Sequence, residues 1–273
     1  MSIPNIFMGY TTMYWSLYTV CITGAILQII LLICLLKDPL RCFRNSASYL
    51  VANLAICDLI VDVLMLMGTM NSGKSYVQAL SHVPYFASFL SLLSIAVDRY
   101  FIVVHPFKHR SYMSGMKTTI WIAFIWIFSF CDPVYHILTD TVDELSYFKY
   151  FLMAVVVILT SFAYVLTFIS LKRDAKYLSS NGKGQSCQTR IINEKKFLNT
   201  IIVIGVVAVL CVTPVTVYGA VKHLDLDKDM RENVLFCFLS TILCFNFALN
   251  PFVYFLRLKN YRKTFFILFC QKK

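Results

Sequence analysis

The sequence predicts an all-α membrane protein: a bundle of seven membrane-spanning helices followed by a short amphipathic eighth. Three observations carry that reading. Apolar residues fall in seven long blocks, each near the roughly 20 residues a helix needs to cross a hydrocarbon core. Of the 273 residues, 59% are hydrophobic and 14% charged, with a mean hydropathy of +0.70, an excess of apolar surface that must face something other than water. Basic residues gather in alternate links between the blocks. A soluble α-protein has room in its core for one or two such blocks, not seven.

The blocks cover residues 14–36, 46–68, 78–104, 119–138, 147–171, 197–221 and 233–256, and the amphipathic segment covers 258–269. The third block is broken by Ser81, His82, Ser88, Ser91 and Ser94. Hydroxyls and imidazoles hydrogen-bond within a helix bundle, so this helix is expected to be packed on several sides. Residues 1–12 carry no basic flank and the first block is long enough to remain as an anchor, so no cleavable signal is expected. The links are too short to fold alone, which predicts a single domain over 1–273.

Orientation follows from lysine and arginine. The links at 37–45, 105–118 and 172–196, with the tail after 256, hold 19 basic residues, whereas Lys74, Lys149, Lys222, Lys228 and Arg231 are the five on the other side. The positive-inside rule then puts the N-terminus outside the cell and the tail in the cytosol, as for a multi-pass protein of the plasma membrane. The net charge of +11 is accordingly no sign of nucleic-acid binding. Its partners are anionic inner-leaflet lipids and acidic cytosolic surfaces. The ten cysteines form no close CxxC repeat, so no zinc site is expected. Most read as small packing residues. Cys270, beside Lys272 and Lys273 after an aromatic run, is a candidate for acylation.

Polar groups inside the blocks are costly and mark pairing or function. Asp58 and Asp62 lie four apart on one face of the second helix, with Asn53 on the same helix. Asn246 and Asn250 share a face of the seventh, just before Pro251. With Ser88 and Ser91 they suit a polar cavity that holds water or a sodium ion, or a static network that satisfies helix contacts. At the cytosolic end of the third helix stands Asp98-Arg99-Tyr100. The Arg99 guanidinium can pair with Asp98, reach Glu194 at the start of the sixth helix, or receive a carbonyl from a partner. An Arg99–Glu194 bridge would act as a latch worth about 1–3 kcal/mol. Pro214 and Pro251 each remove a helical hydrogen bond and create a kink or hinge.

With these residues in view, the chain resembles the rhodopsin-like (class A) G-protein-coupled receptors along its whole length. Asn53-Leu54-Ala55-Ile56-Cys57-Asp58 matches the family's NLAxxD, Asp98-Arg99-Tyr100 its DRY, and Asn250-Pro251-Phe252-Val253-Tyr254 its NPxxY. Cys211-Val212-Thr213-Pro214 matches CWxP apart from the tryptophan. Trp126, or Trp121 in another register, looks like the fourth-helix tryptophan, and Tyr164 like the fifth-helix tyrosine. The resemblance implies a receptor rather than an enzyme. It couples an outer ligand to a heterotrimeric G protein through movement of the sixth helix near Pro214, and Tyr164 meets Tyr254 in the open state. Arrestin and a receptor kinase are implied as further partners. The ligand pocket would draw on Asp62, His82, Tyr85, Tyr150, Tyr218 and Phe236.

Several departures bear on the ligand. Gln28 is the nearest substitute for the missing first-helix asparagine, Val212 replaces the toggle tryptophan, and Ala208 an aromatic beneath it. Lys74 stands in place of the outer cysteine of the third helix, and Val156 in place of a fifth-helix proline. The last two resemble the melanocortin, cannabinoid and lysophospholipid branch, which favours a lipid or short peptide. Ser81 replaces the aspartate of amine receptors and Cys244 the retinal-bearing lysine of opsins. The alternative reading, a non-signalling binding receptor or heteromer subunit, is motivated by Val212 and the missing asparagine.

Overall fold

The computed structural model describes residues 3–43, 45–70, 75–105, 109, 114–139, 144–180, 203, 205–214, 217, 230–257 and 259–270. Their helices are α1 Ile3–Lys37, α2 Ser46–Met70, α3 Ser75–Val104, α4 Gly115–Thr139 and α5 Glu144–Ser180. A shorter α6 covers Gly205–Pro214. Then come α7 Met230–Arg257 and α8 Lys259–Phe265, the last continued by a π-helical turn, Phe266–Cys270.

Five stretches are long and apolar enough to cross a membrane: Tyr14–Lys37, Ser46–Met67, His82–Val104, Leu152–Ser170 and Phe238–Leu256. The apolar helices Gly115–Cys131 and Gly205–Pro214 are shorter. The chain is a mostly helical, multi-pass membrane protein. Helix α5 continues past the apolar block to Ser180, because Lys172, Arg173 and the residues beyond are as compatible with a solvated helix as with a loop.

The bundle reverses the polarity of a water-soluble core. Trp15, Ile26, Ile127, Ile158, Phe162 and Leu210 are exposed on its outside, while Gln28, Asn53, Asp58, Ser88, Ser91 and Asn250 are buried inside. Helix α3 is central and packs against α2, α4 and α5; α1 packs against α2 and α7. Leu50, Leu54, Phe89, Leu92, Ile95 and Phe247 form the apolar filling between these helices.

Local chemistry fixes the turn between α1 and α2. Asp38 takes a left-handed backbone conformation, φ 30°, which ends α1 in the manner of an αL cap. Its carboxylate then accepts the amides of Cys42 and Phe43 at 2.8 and 3.0 Å. Asn45 caps α2, its Oδ1 accepting the Ser48 amide at 2.9 Å. Such side-chain caps are worth about 1 kcal/mol each. The turn delivers the buried ring of Phe43 against Tyr261 of α8, with centroids 4.5 Å apart. Burial pushes the Tyr261 phenol pKa up. Helix α8 is amphipathic as expected: Tyr261 and Thr264 are buried while Arg262 and Lys263 are exposed.

Candidate functional site

Pro251 organises the middle of the bundle. A proline inside α7 cannot donate to the carbonyl four residues back, which is that of Phe247. Gln28 of α1 supplies the missing donor: its Nε2 reaches the Phe247 carbonyl at 2.9 Å and Asp58 Oδ2 at 3.2 Å. Asp58 is wholly buried. Its Oδ1 accepts the Ser88 hydroxyl at 2.6 Å and its Oδ2 the Asn250 amide at 2.7 Å. One carboxylate thus joins α1, α2, α3 and α7.

A second layer ties α2 to α3 and α4. Asn53 donates through Nδ2 to Ser91 Oγ at 2.8 Å and accepts the Trp126 indole N–H through Oδ1 at 2.9 Å. Trp121 instead donates to Ser94 at 2.9 Å. Of the two tryptophans, Trp126 is therefore the one joined to the polar core.

Several buried polar atoms have no hydrogen-bond partner among the described residues: Gln28 Oε1, both carboxylate oxygens of Asp62, both amide atoms of Asn246, and the Tyr254 hydroxyl. Native interiors rarely leave such groups without a protein, water or ion partner. The Asp58 carboxylate, the Ser88 hydroxyl and the free Oε1 of the Gln28 amide form an oxygen-rich set. Asn246 Oδ1 lies one helical turn before Asn250. These residues fit a small hard cation such as sodium, which prefers oxygen donors.

At the cytosolic end of α3, Asp98 is the hub. Its Oδ2 accepts Arg99 Nη2 at 2.6 Å and Nε at 3.1 Å. Its Oδ1 accepts Ser46 Oγ of α2 at 2.7 Å and lies 2.8 Å from His109 Nε2. Asp98 and Arg99 are both buried, so this is a charge pair shielded from water. Tyr100 packs edge-on to Phe101. Glu194, the expected distant acid, lies outside the described residues. Tyr164 of α5 is buried, with its hydroxyl 3.5 Å from the Leu92 carbonyl of α3. Buried Tyr254 stacks on Tyr261 at 5.9 Å.

Of the expected outer-pocket residues, Asp62, His82 and Tyr85 have described side chains. Asp62 is fully buried, its Oδ2 within 2.6 Å of where a Cβ on Gly24 would stand. It faces the packed junction of α1, α2 and α7. Tyr85 is half-buried, edge-on to Phe89 at 5.1 Å and to Phe247 at 5.8 Å. His82 is half-buried on α3. Tyr150 and Phe236 lie on α5 and α7 with side chains outside the described set, as Tyr218 is entirely. Cys270 is exposed at the end of the π-helical turn. Pro214 is the last residue of the described stretch of α6.

The sequence did not single out Ser46 and His109, the two partners of Asp98 Oδ1, or the glycines at 24 and 205. The Gln28–Phe247 bond had a signal, since any proline at position i orphans the carbonyl at i−4. The others had none, because they join residues from separate elements.

Comparison with known proteins accords with this geometry. The chain matches the family described as "7 transmembrane receptor (rhodopsin family)" over residues 24–150 and 129–254. Adenosine receptor A2a of Canis lupus familiaris is 22% identical, the match covering 92% of this chain and 71% of that receptor. The same receptor of Homo sapiens is 22% identical over 81% of this chain and 64% of its own length. A D(2)-like dopamine receptor of Takifugu rubripes is 23% identical over 64% of this chain and 44% of its own. The chain belongs to the rhodopsin family of seven-transmembrane, G-protein-coupled receptors. It is a membrane receptor, not an enzyme. These relatives lend no support to the melanocortin, cannabinoid and lysophospholipid branch.

Proposed function

We propose that this receptor crosses the plasma membrane seven times, with its N-terminus outside, and that an extracellular ligand drives it to activate a heterotrimeric G protein. The observation that carries the proposal is the buried Asp98–Arg99 pair at the cytosolic end of α3, 2.6 Å apart and braced by Ser46 and His109. A guanidinium held there by Asp98 becomes available to a partner's carbonyls once the bundle opens. Outward movement of the sixth helix about Pro214, with release of Arg99 from Glu194, is the opening step. Ligand binding shifts the population toward that state. Sodium at Asp58 favours the closed form, and arrestin and a receptor kinase act on the open one.

A lipid or a short peptide is the ligand class slightly favoured by the missing outer cysteine and fifth-helix proline. Acidic outer loops suit a cationic ligand, while Ser81 supplies no carboxylate for an amine. Adenosine, named for two of the relatives, belongs in the same screen. A second reading, a non-signalling binding receptor or heteromer subunit, is favoured by buried Val212 and Ala208, aliphatic residues where the family carries aromatics. Basal activation of each G-protein class in cells, wild type against Glu194→Gln and Arg99→Ala at equal surface level, separates the two. The signalling receptor gains activity with Glu194→Gln and loses it with Arg99→Ala. The non-signalling protein is silent in all three forms.

A further inference from the structure

Helix α5 approaches α6 closely where the Tyr164 ring lies against Gly205. A Cβ built on Gly205 would stand 2.7 Å from Cε2 of Tyr164, 3.1 Å from Cδ2 and 3.8 Å from Cζ. Carbon atoms do not pack closer than about 3.5 Å without cost, so the ring's present position requires glycine on the facing helix. No left-handed backbone calls for glycine there, because Gly205 is helical and has no positive φ. Glycine in a helix interior is weaker than alanine by about 0.5–1 kcal/mol, so the chain gives up helix propensity at this position and gains a seat for the ring.

The hydroxyls show that shape does most of the holding. Tyr164 reaches the Leu92 carbonyl at 3.5 Å, the outer limit of a hydrogen bond. The hydroxyl of Tyr254, buried on α7, has no hydrogen-bond partner among the described residues. This arrangement leaves both phenols poorly satisfied, so the Tyr164 ring is held by packing in the core cluster, with Gly205 directly against its edge atoms. We infer that Gly205 is a steric seat for Tyr164: by accepting the ring it keeps α5 and α6 together and holds the receptor closed, and the ring leaves the seat when the sixth helix moves out. This rests on the two-state opening proposed above. It adds a positioning residue that acts through Tyr164 and touches neither ligand nor G protein.

A double-mutant cycle tests it on the full chain. In Gly205→Ala the new methyl meets the ring, and overpacking of this kind is expected to raise basal G-protein activation about fivefold or more at matched surface level. In the Tyr164→Leu background the ring is gone and the same alanine should change nothing. Hydrogen–deuterium exchange of residues 205–214 in purified receptor gives a readout independent of any G protein. Exchange should rise in Gly205→Ala relative to wild type, but not in the double variant relative to Tyr164→Leu. If cells show no G-protein activity in any form while the exchange cycle behaves as stated, the seat stands and the signalling proposal falls. If Gly205→Ala fails to reach the surface, Tyr164→Leu added to it should restore expression; failure to do so overturns the seat. An alanine effect that is absent, or that persists without the ring, overturns it as well.

Discussion

Gln28 on α1 donates its side-chain amide to the backbone carbonyl of Phe247 on α7 at 2.9 Å, completing the hydrogen bond that Pro251 cannot make. The same nitrogen reaches Asp58. The hydrogen bond lost at one residue is thereby tied to the charged centre of the bundle through a side chain on a third helix. Replacing Gln28 with leucine leaves a buried carbonyl unpaired, which costs about 1–3 kcal/mol. Gln28→Leu is therefore expected to lower the thermal midpoint of purified receptor, and an unchanged midpoint would show that the bond contributes nothing.

Asn53 and Trp126 act as a unit. Each of Asn53→Ala and Trp126→Phe should destabilise by about 1 kcal/mol, but the double variant should cost less than their sum, since the 2.9 Å bond can be lost only once. Denaturation of the four forms in detergent measures the coupling; strict additivity would mean the two side chains do not interact.

His109 shares Asp98 Oδ1 with Ser46. Removing it with His109→Phe loosens the brace on the Asp98–Arg99 pair by about 1 kcal/mol, so basal G-protein activation should rise about fivefold. Activation equal to wild type at the same surface level would assign His109 no part in holding the closed state.

Sodium should stabilise the receptor through Asp58. A cation bound to the folded state at ten times its Kd contributes about 1.4 kcal/mol. Thermal melts in sodium chloride should therefore lie above melts in N-methylglucamine chloride at equal ionic strength, and the difference should vanish in Asp58→Asn. Identical melts of the wild type in the two salts would remove sodium from the account.

Much of this architecture was legible in the sequence for physical reasons. Long apolar blocks report helices because a lipid environment demands that each backbone group be satisfied within its own segment. The intramembrane Asp58, Asn250 and Arg99 stood out because polar groups at that depth need partners. The partners themselves were less legible. Ser88 was identifiable, being a hydroxyl on the expected helix, whereas Ser46 and His109 are ordinary residues until the fold brings them to Asp98. Asp62 shows the limit most clearly. Its four-residue spacing from Asp58 places it on the same face of α2, but whether that turn faces an outer cavity or Gly24 depends on how closely α1 packs, which spacing along α2 does not encode.

The most direct test of the central claim, that the Asp98–Arg99 pair is the G-protein switch, is nucleotide exchange on purified heterotrimeric G proteins by wild type, Asp98→Asn and Arg99→Ala. Asp98→Asn frees the guanidinium while keeping the side-chain shape, so basal exchange should rise on at least one G-protein class. Arg99→Ala removes the group that receives the partner, so exchange on that class should fall to the level of receptor-free membranes. Changes of the same sign in both variants, or none in either where the wild type is active, would contradict the account.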